Sequence, residues 1–410
     1  MITVRALAVT RRGGWVLLVA VNCFVLAAAL SLPALLYTTG LLLGLVVLGA
    51  LYLLAASPRA RVDRTFAPPV LEPDLGSRVT LRFVNRARVP LPASRWEDHL
   101  PAGLGGAATG QMPTSPRTRL GRAGLVLGYD VRGQRRGRHV VGPLQLENVD
   151  PFGLVRRRHV VAGTHSVIVL PRRRELAPLG SLGLSDDGSG RPAPQHAGNG
   201  ADDVIARTYL AGDAVKRLNW KATAHRGELM VRQEERQVNP RAAVYLDCDP
   251  STQGTALDRA GEWEHSPMLE WSVVAAASVM THLVGVGCVV ALRSSDQTID
   301  RSVGDGHDTL SDAMLDLAVV EPAELDVDAV EPAERSVVLV TGHLDQTRAD
   351  HWIRVLGRAN TVHAFVAATT RPEALARLDG TRWSVVTYRT QDNQAERWLA
   401  LDRAVSRALG

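Results

Sequence analysis

Two stretches of this 410-residue chain combine residue types that could do chemistry. The first is Asp247-Cys248-Asp249-Pro250-Ser251, with two carboxylates and a hydroxyl inside five residues. On one tight turn these groups offer hard oxygen ligands to Mg²⁺, so Asp247, Asp249 and Ser251 form a candidate metal corner. The same residue types also cap helices, and a capping turn is the competing reading. The second stretch gathers Arg207, Asp213, Arg217, Lys221, Arg226 and Arg232 around Tyr209, Gly212, Asn219 and Trp220. Lys216 and Lys221, both inside it, are the only lysines of the chain. A solvated surface has little use for a Trp set between Asn and Lys, and a core has little use for so many charges. The block therefore reads as a partner-binding surface, where Trp and Arg are enriched, or as an internal charge network between domains.

Established catalytic patterns are missing from the sequence. It contains no nucleophile elbow, Walker loop, HExxH helix or Cys–His pairing. Cys248 stands between two acids, a setting that disfavours a nucleophilic thiolate. A non-enzymatic role is expected, with a hydrolase built on the Asp247 and Asp249 carboxylates as the alternative. Three cysteines (Cys23, Cys248, Cys288) make no disulfide framework, and no Cys/His cluster has zinc-ligand spacing. The net charge of +5 suits an anionic membrane surface as well as nucleic acid. A nucleic-acid reading also needs interleaved aromatics or a reader motif, and neither is present, so no nucleic-acid partner is expected.

These stretches must be positioned by the elements around them. No charged residue occurs in the 46 positions between Arg12 and Arg59. One helix of that length would measure about 69 Å, over twice the hydrocarbon thickness, so two crossings fit better. We place them at 15–33 and 38–56 within a hairpin at 15–57, broken by Ser31-Leu-Pro33 and Tyr37-Thr-Thr-Gly40. Arg5, Arg11 and Arg12 precede the hairpin and Arg59, Arg61 and Arg64 follow it. The positive-inside rule then puts the tail at 1–14 and the body of the chain in the cytoplasm, below a two-span anchor in the cell membrane. A signal peptide cleaved near Ala27-Ala-Ala-Leu-Ser31 is the alternative, and it would leave the second span in place.

From 64 to 174 short alternating runs such as Ser77–Val84 predict an all-β, sandwich-like domain. Further strands are expected at 125–129, 139–146, 158–161 and 166–170. Asp150-Pro-Phe-Gly-Leu154 reads as a turn that tucks its aromatic into the core. Arginines cluster at 135–138, 156–158 and 172–174, either to attract membrane lipid headgroups or to protect exposed strand edges. Residues 175–203 have linker composition and lead into the charged block at 204–240. Beyond it, 241–410 alternates apolar strands with helices, the pattern of a doubly wound, mostly parallel sheet. The candidate corner follows the first of those strands, where such sheets bind ligands.

Asp247-Cys-Asp249-Pro-Ser251 is similar to the metal-dependent adhesion corner of von Willebrand factor A domains, which reads Asp-x-Ser-x-Ser. Here Asp249 replaces the middle Ser. Where that family expects an acid after a later strand, the chain reads Thr341-Gly-His343, with Asp345 only further along. As a whole the chain resembles the bacterial domain of unknown function 58. The resemblance rests on Arg136-Gly-Arg-His-Val-Val-Gly-Pro-Leu144, Asp150-Pro-Phe-Gly-Leu154 and a signature carried by Arg207, Tyr209, Gly212, Asp213, Arg217, Asn219, Trp220, Lys221, Arg226, Leu229, Val231 and Arg232. His225 stands where that pattern often has Arg. The resemblance implies a hairpin, a β-domain and a von Willebrand factor A-like α/β domain. It also implies a membrane-tethered adaptor of a MoxR-type AAA+ ATPase, acting in protein assembly or maturation or at the cell envelope. A transglutaminase-like membrane protein is a further implied partner.

Overall fold

The computed structural model describes residues 7–56, 60–85, 91–114, 124–178, 205–209, 218, 220–233, 240–259, 261, 263–304, 307–325 and 334–408. The chain divides into two compact units, 1–172 with 314–320, and 173–313 with 321–410.

The first unit begins with a short strand, β1 (Ala8–Val9), then two helices, α1 (Arg11–Leu30) and α2 (Pro33–Ala55). Both helices are long and apolar enough to cross a membrane. The Thr10 side chain caps α1 by accepting from the Gly13 N–H at 3.1 Å. Gly13, Ala20 and Ala27 are the buried positions of α1; the Leu154 backbone closes on Gly13, and the Thr39 hydroxyl of α2 reaches the Ala20 carbonyl at 3.4 Å. The chain reverses at Ser31, whose left-handed backbone (φ 48°) ends α1, and Pro33 opens α2. The break is therefore tighter than expected. Tyr37-Thr-Thr-Gly40 lies inside α2, where the Thr39 hydroxyl is satisfied by the Leu35 carbonyl at 2.9 Å.

The rest of this unit is sheet: β2 (Ala60–Ala67), β3 (Val70–Leu71), β4 (Gly76–Asn85), β5 (Ser94–Asp98), β6 (Leu104–Gly106), β7 (Thr109–Met112), β8 (Leu125–Gly133), β9 (Gly137–Val141), β10 (Leu144–Val149), β11 (Val155–Ala162) and β12 (His165–Val169). They form sheets of order β1-β11-β10-β5-β7, β2-β4-β8-β6 and β3-β12-β9. The alternation read in 77–84 is real, since β4 buries Val79, Leu81 and Phe83 on one face. These residues share one core with Trp96, Leu127, Tyr129, Leu144, Leu146 and Val167, so all three sheets are held by the same apolar cluster. Across that core the Arg64 guanidinium of β2 grips the Asp98 carboxylate of β5 at 2.7 and 3.0 Å. Tyr129 of β8 donates to the same carboxylate at 2.8 Å. The single strand expected at 139–146 is two, split at Gly142-Pro143, because Pro has no N–H for the ladder.

The Asp150–Leu154 turn corrects another expectation. Phe152 is not tucked in; it is 49% exposed, whereas Asp150 and Leu154 are buried. The Asp150 carboxylate accepts the N–H groups of Phe152 (2.9 Å) and Val155 (2.5 Å), so the turn closes around the acid and Leu154 supplies the apolar anchor.

The remaining described elements belong to the second unit, save that α6 runs on past 313 into residues counted with the first: β13 (Ile205–Thr208), α3 (Trp220–Arg226), β14 (Met230–Gln233), β15 (Arg241–Leu246), α4 (Pro250–Gln253), α5 (Pro267–Gly285), β16 (Val289–Ser294), β17 (Asp300–Val303), α6 (His307–Val319), β18 (Ser336–Val340), α7 (Gln346–Val355), β19 (Thr361–Ala367), α8 (Pro372–Asp379), β20 (Ser384–Tyr388) and α9 (Gln394–Ala408). Six strands form one mixed sheet of order β17-β16-β15-β18-β19-β20. All neighbours pair in parallel except the edge strand β17. Strand β15 is central, and the chain winds outward from it first on one side and then on the other. α5 is also long and apolar enough to cross a membrane, but it is 61% buried within the unit, as a core helix of such a sheet should be. The expected linker at 175–203 lies mostly outside the described residues.

Candidate functional site

β15 is apolar and buried along most of its length and runs straight into Asp247, which is 1% exposed. Neighbouring β18 ends beside it at Thr341, and the Thr341 hydroxyl donates to Asp247 Oδ2 at 2.6 Å. Asp247 Oδ1 accepts the Asp249 N–H at 3.0 Å. Burial pushes the Asp247 carboxyl above the usual carboxylate range, against the pull of these hydrogen bonds. The Thr341 carbonyl in turn accepts the Tyr388 hydroxyl at 2.9 Å, and Tyr388 is stacked on Trp271 at 3.6 Å. Asp247 is thus locked into the core by its neighbours.

Asp249 lies two residues on, 3% exposed, and faces different partners. Its Oδ1 accepts from the Ser251 N–H (3.0 Å) and hydroxyl (2.5 Å), which caps α4. Its Oδ2 accepts from the Leu325 N–H (3.0 Å) and from Arg348 Nη2 of α7 (2.7 Å). Burial alone would raise this carboxyl, but the Ser251 and Leu325 hydrogen bonds and the Arg348 charge outweigh it and hold it below the usual range. Two adjacent acids on one turn are thereby driven to opposite protonation behaviour.

Asp247, Asp249 and Ser251 do come together, but their oxygens point to protein hydrogens. A Mg²⁺ ion needs about six oxygen ligands, and the acid that would face it is already paired with a guanidinium. Among the described residues no three His, Cys, Asp or Glu side chains are grouped to hold a metal. The donor set as arranged does not fit a divalent cation. Arg348 was not among the residues singled out in the sequence. Nothing in the 99-residue separation from Asp249 signals the contact. Asp345, the other acid near this end of the sheet, caps α7 by accepting from the Arg348 N–H at 2.8 Å.

The charged block is described in part. β13 and β14 pair antiparallel, placing Arg207 opposite Val231 and Ala206 opposite Arg232. The Tyr209 N–H donates to the Leu229 carbonyl at 2.7 Å, extending that ladder. Val231 is buried at 3%, whereas Trp220 and Leu229 are 67% and 47% exposed. Trp220 and Lys221 open α3, and Arg226 closes it on an exposed position. Gly212, Asp213, Arg217 and Asn219 lie outside the described residues. Residues 205–407 match the family model described as "Protein of unknown function DUF58". The DUF58 match thus takes in the block, the corner and the six-stranded sheet, and leaves the hairpin and the three-sheet unit outside it. A curated relative, "Uncharacterized protein YeaD" of Bacillus subtilis (strain 168), is 25% identical over 169 residues, 39% of this chain. The chain spans about two fifths (41%) of that relative's length. Among solved structures, the CARDB domain of a Pyrococcus furiosus protein has a TM-score of 0.19 at 12% identity over 27% of this chain and 93% of its own. A carbohydrate esterase family 2 enzyme with a carbohydrate-binding domain, from Myceliophthora fergusii, has a TM-score of 0.21 at 11% identity, covering 86% of this chain and 99% of its own. At these scores neither likeness bears on the fold of this DUF58-matching chain.

Proposed function

We propose that the chain is a membrane-anchored, non-enzymatic adaptor whose α/β unit recruits a partner through the block around Trp220. The observation that carries this reading is the exposure of Trp220 and Leu229 on either side of α3, over a strand whose Val231 is buried. An exposed Trp beside cationic residues is the usual make-up of an interface anchor. The partner expected from the family resemblance is a MoxR-type AAA+ ATPase, acting in protein assembly or maturation or at the cell envelope, with a transglutaminase-like membrane protein as a further member. α1 and α2 would span the cell membrane with both soluble units in the cytoplasm and membrane lipids around the hairpin. A von Willebrand factor A-like fold for the second unit is supported by the central first strand, the outward winding and the antiparallel edge.

A second reading keeps the corner as a ligand or metal site, or a hydrolytic one, because it sits at the carboxyl ends of adjacent strands β15 and β18, where the winding reverses. That reading requires Arg348 to leave Asp249. The adaptor reading is tested by purifying the full chain in detergent from its own cells, as wild type, Trp220→Ala and Arg226→Ala. Recovery of an AAA+ ATPase with the wild type and its loss from folded Trp220→Ala is the expected result. Equal recovery with all three removes the block as the contact surface.

A further inference from the structure

We propose that the Asp150–Leu154 turn inserts into the bilayer surface, seating Phe152 at the boundary between lipid headgroups and acyl chains. The inference rests on the reading that α1 and α2 span a membrane, and adds that the β-sheet unit enters it beside them.

The turn is packed against the hairpin within its apolar length, not merely at its ends. Leu154 and Val155 form one buried cluster with Leu53 of α2, lined by Val16 of α1 and by Leu45, Val46 and Ala50 of α2. The Leu154 carbonyl oxygen lies where a side chain on Gly13 would sit, 2.1 Å from that position. The Asp150 carboxylate approaches the corresponding position on Gly49 to 3.0 Å. Thr10 ties the other edge, its hydroxyl donating to the Gly153 carbonyl at 2.6 Å and its N–H to the Leu154 carbonyl at 2.9 Å.

Lengths decide how deep this contact lies. α2 has 23 residues and runs about 35 Å, some 5 Å more than a hydrocarbon core of about 30 Å. Gly49 is six residues from the end of α2, or about 9 Å. With the helix along the bilayer normal, Gly49 lies inside the apolar slab even if all the excess emerges at the C-terminal end. Leu45 lies deeper still. The turn that touches them therefore reaches the slab's edge.

The chemistry of the turn suits that place. Much of its backbone is bonded within the protein: the Phe152 and Val155 N–H groups bond to the Asp150 carboxylate, the Gly153 N–H to the Asp150 carbonyl at 2.9 Å, and two of its carbonyls to Thr10. Satisfied backbone is what lipid contact demands. Asp150 is buried with those hydrogen bonds and exposes no charge. Phe152 projects beside the exposed, apolar Pro151 and is itself 49% exposed, and Trp15, one turn into α1, is 68% exposed at the same end of the hairpin. Two aromatics at that level form an interfacial belt. Water would favour neither.

Benzoylphenylalanine is placed singly at position 24, 126 or 152 of the full chain, which is reconstituted into phosphatidylcholine–phosphatidylglycerol vesicles, irradiated and examined by mass spectrometry. Phe24 of α1 and Val126 of β8 are exposed comparison positions (55% and 59%). Phospholipid adducts at 24 and 152, with none at 126, are the expected result. Adducts at 24 but not at 152, or a chain-to-chain crosslink at 152 in place of lipid, overturn the insertion while leaving the spans intact. Adducts at 126 as well overturn its confinement to the turn. No adduct at 24 overturns the membrane hairpin itself, and the insertion with it.

Discussion

Arg348 Nη2 lies 2.7 Å from Asp249 Oδ2, at the position in the corner where a bound cation would have to sit. The guanidinium is 28% exposed and the carboxylate side chain 4%, so this pair is sheltered and charge-complete without help from solution. Adding Mg²⁺ at millimolar concentration, or a chelator, should leave the unfolding midpoint of the full chain unchanged. In Arg348→Met the same carboxylate loses its partner, and Mg²⁺ should then raise the midpoint. A wild type stabilised by Mg²⁺ would refute this account of the corner.

The two acids of the corner should respond differently to amide replacement. Asp247 is favoured in its neutral form by burial, so Asp247→Asn should cost about 1 kcal/mol or less of stability. Asp249→Asn sets an amide against Arg348 and weakens the α4 cap, and should cost about 2 kcal/mol. Chemical denaturation of the two variants side by side measures the contrast.

Gly13 and Gly14 are neighbours in α1 with opposite surroundings. A methyl group on Gly13 would meet the Leu154 backbone at 2.1 Å, while nothing lies within 4 Å of one on Gly14. Gly13→Ala should destabilise the packing of the hairpin on the sheet by about 1–3 kcal/mol. Gly14→Ala should be neutral or stabilise by up to about 1 kcal/mol through helix propensity. Limited proteolysis between the hairpin and β2 gives a local readout for both.

His159 predicts an acid response of the first unit. Burial, reinforced by Arg157, pushes its imidazole down to about 4 from 6.5. The unfolded chain therefore binds a proton between those values that the folded chain refuses, and stability falls as pH drops through that window. The loss reaches about 3 kcal/mol by pH 4. Measured from pH 7.5 to 4.5, the wild-type midpoint should fall steadily relative to that of His159→Leu, which lacks the titrating group; a constant difference between the two refutes this role.

Much of the frame is legible from periodicity, because burial on one face or on both writes itself into the order of residues. The charge-free run gave two helices, and the alternating segment gave β4. The alternation of apolar strands with helices read in 241–410 is met by the six-stranded sheet and the helices between its strands. What periodicity cannot carry is the long-range partner. Arg348 reaching Asp249, Arg64 reaching Asp98 and Arg157 Nη1 donating to the Leu53 carbonyl at 3.1 Å all join distant segments. The short edge strand β17 escaped for another reason: four residues with half-exposed, charged character carry almost no pattern. The arginine clusters show the same limit. Arg156 and Arg158 lie on the exposed face of β11 and share Glu147, while Arg157 between them turns inward.

The pairing of Ala8 and Val9 with Arg156 and Val155 has a consequence for how the protein is made. These residues must find a strand translated far later; Thr10 and Gly153 are 143 positions apart. At ribosomal speeds of about 5–20 residues per second, the hairpin waits roughly 7–30 s for that strand. During this interval β1 has no sheet to join, so insertion of the helices must precede closure of the domain that clasps them. Proteolytic trimming after Ala29 would remove an edge strand together with the first helix. β1, translated before the helices it precedes, is thus one of the last pieces of the β-fold to be laid in place.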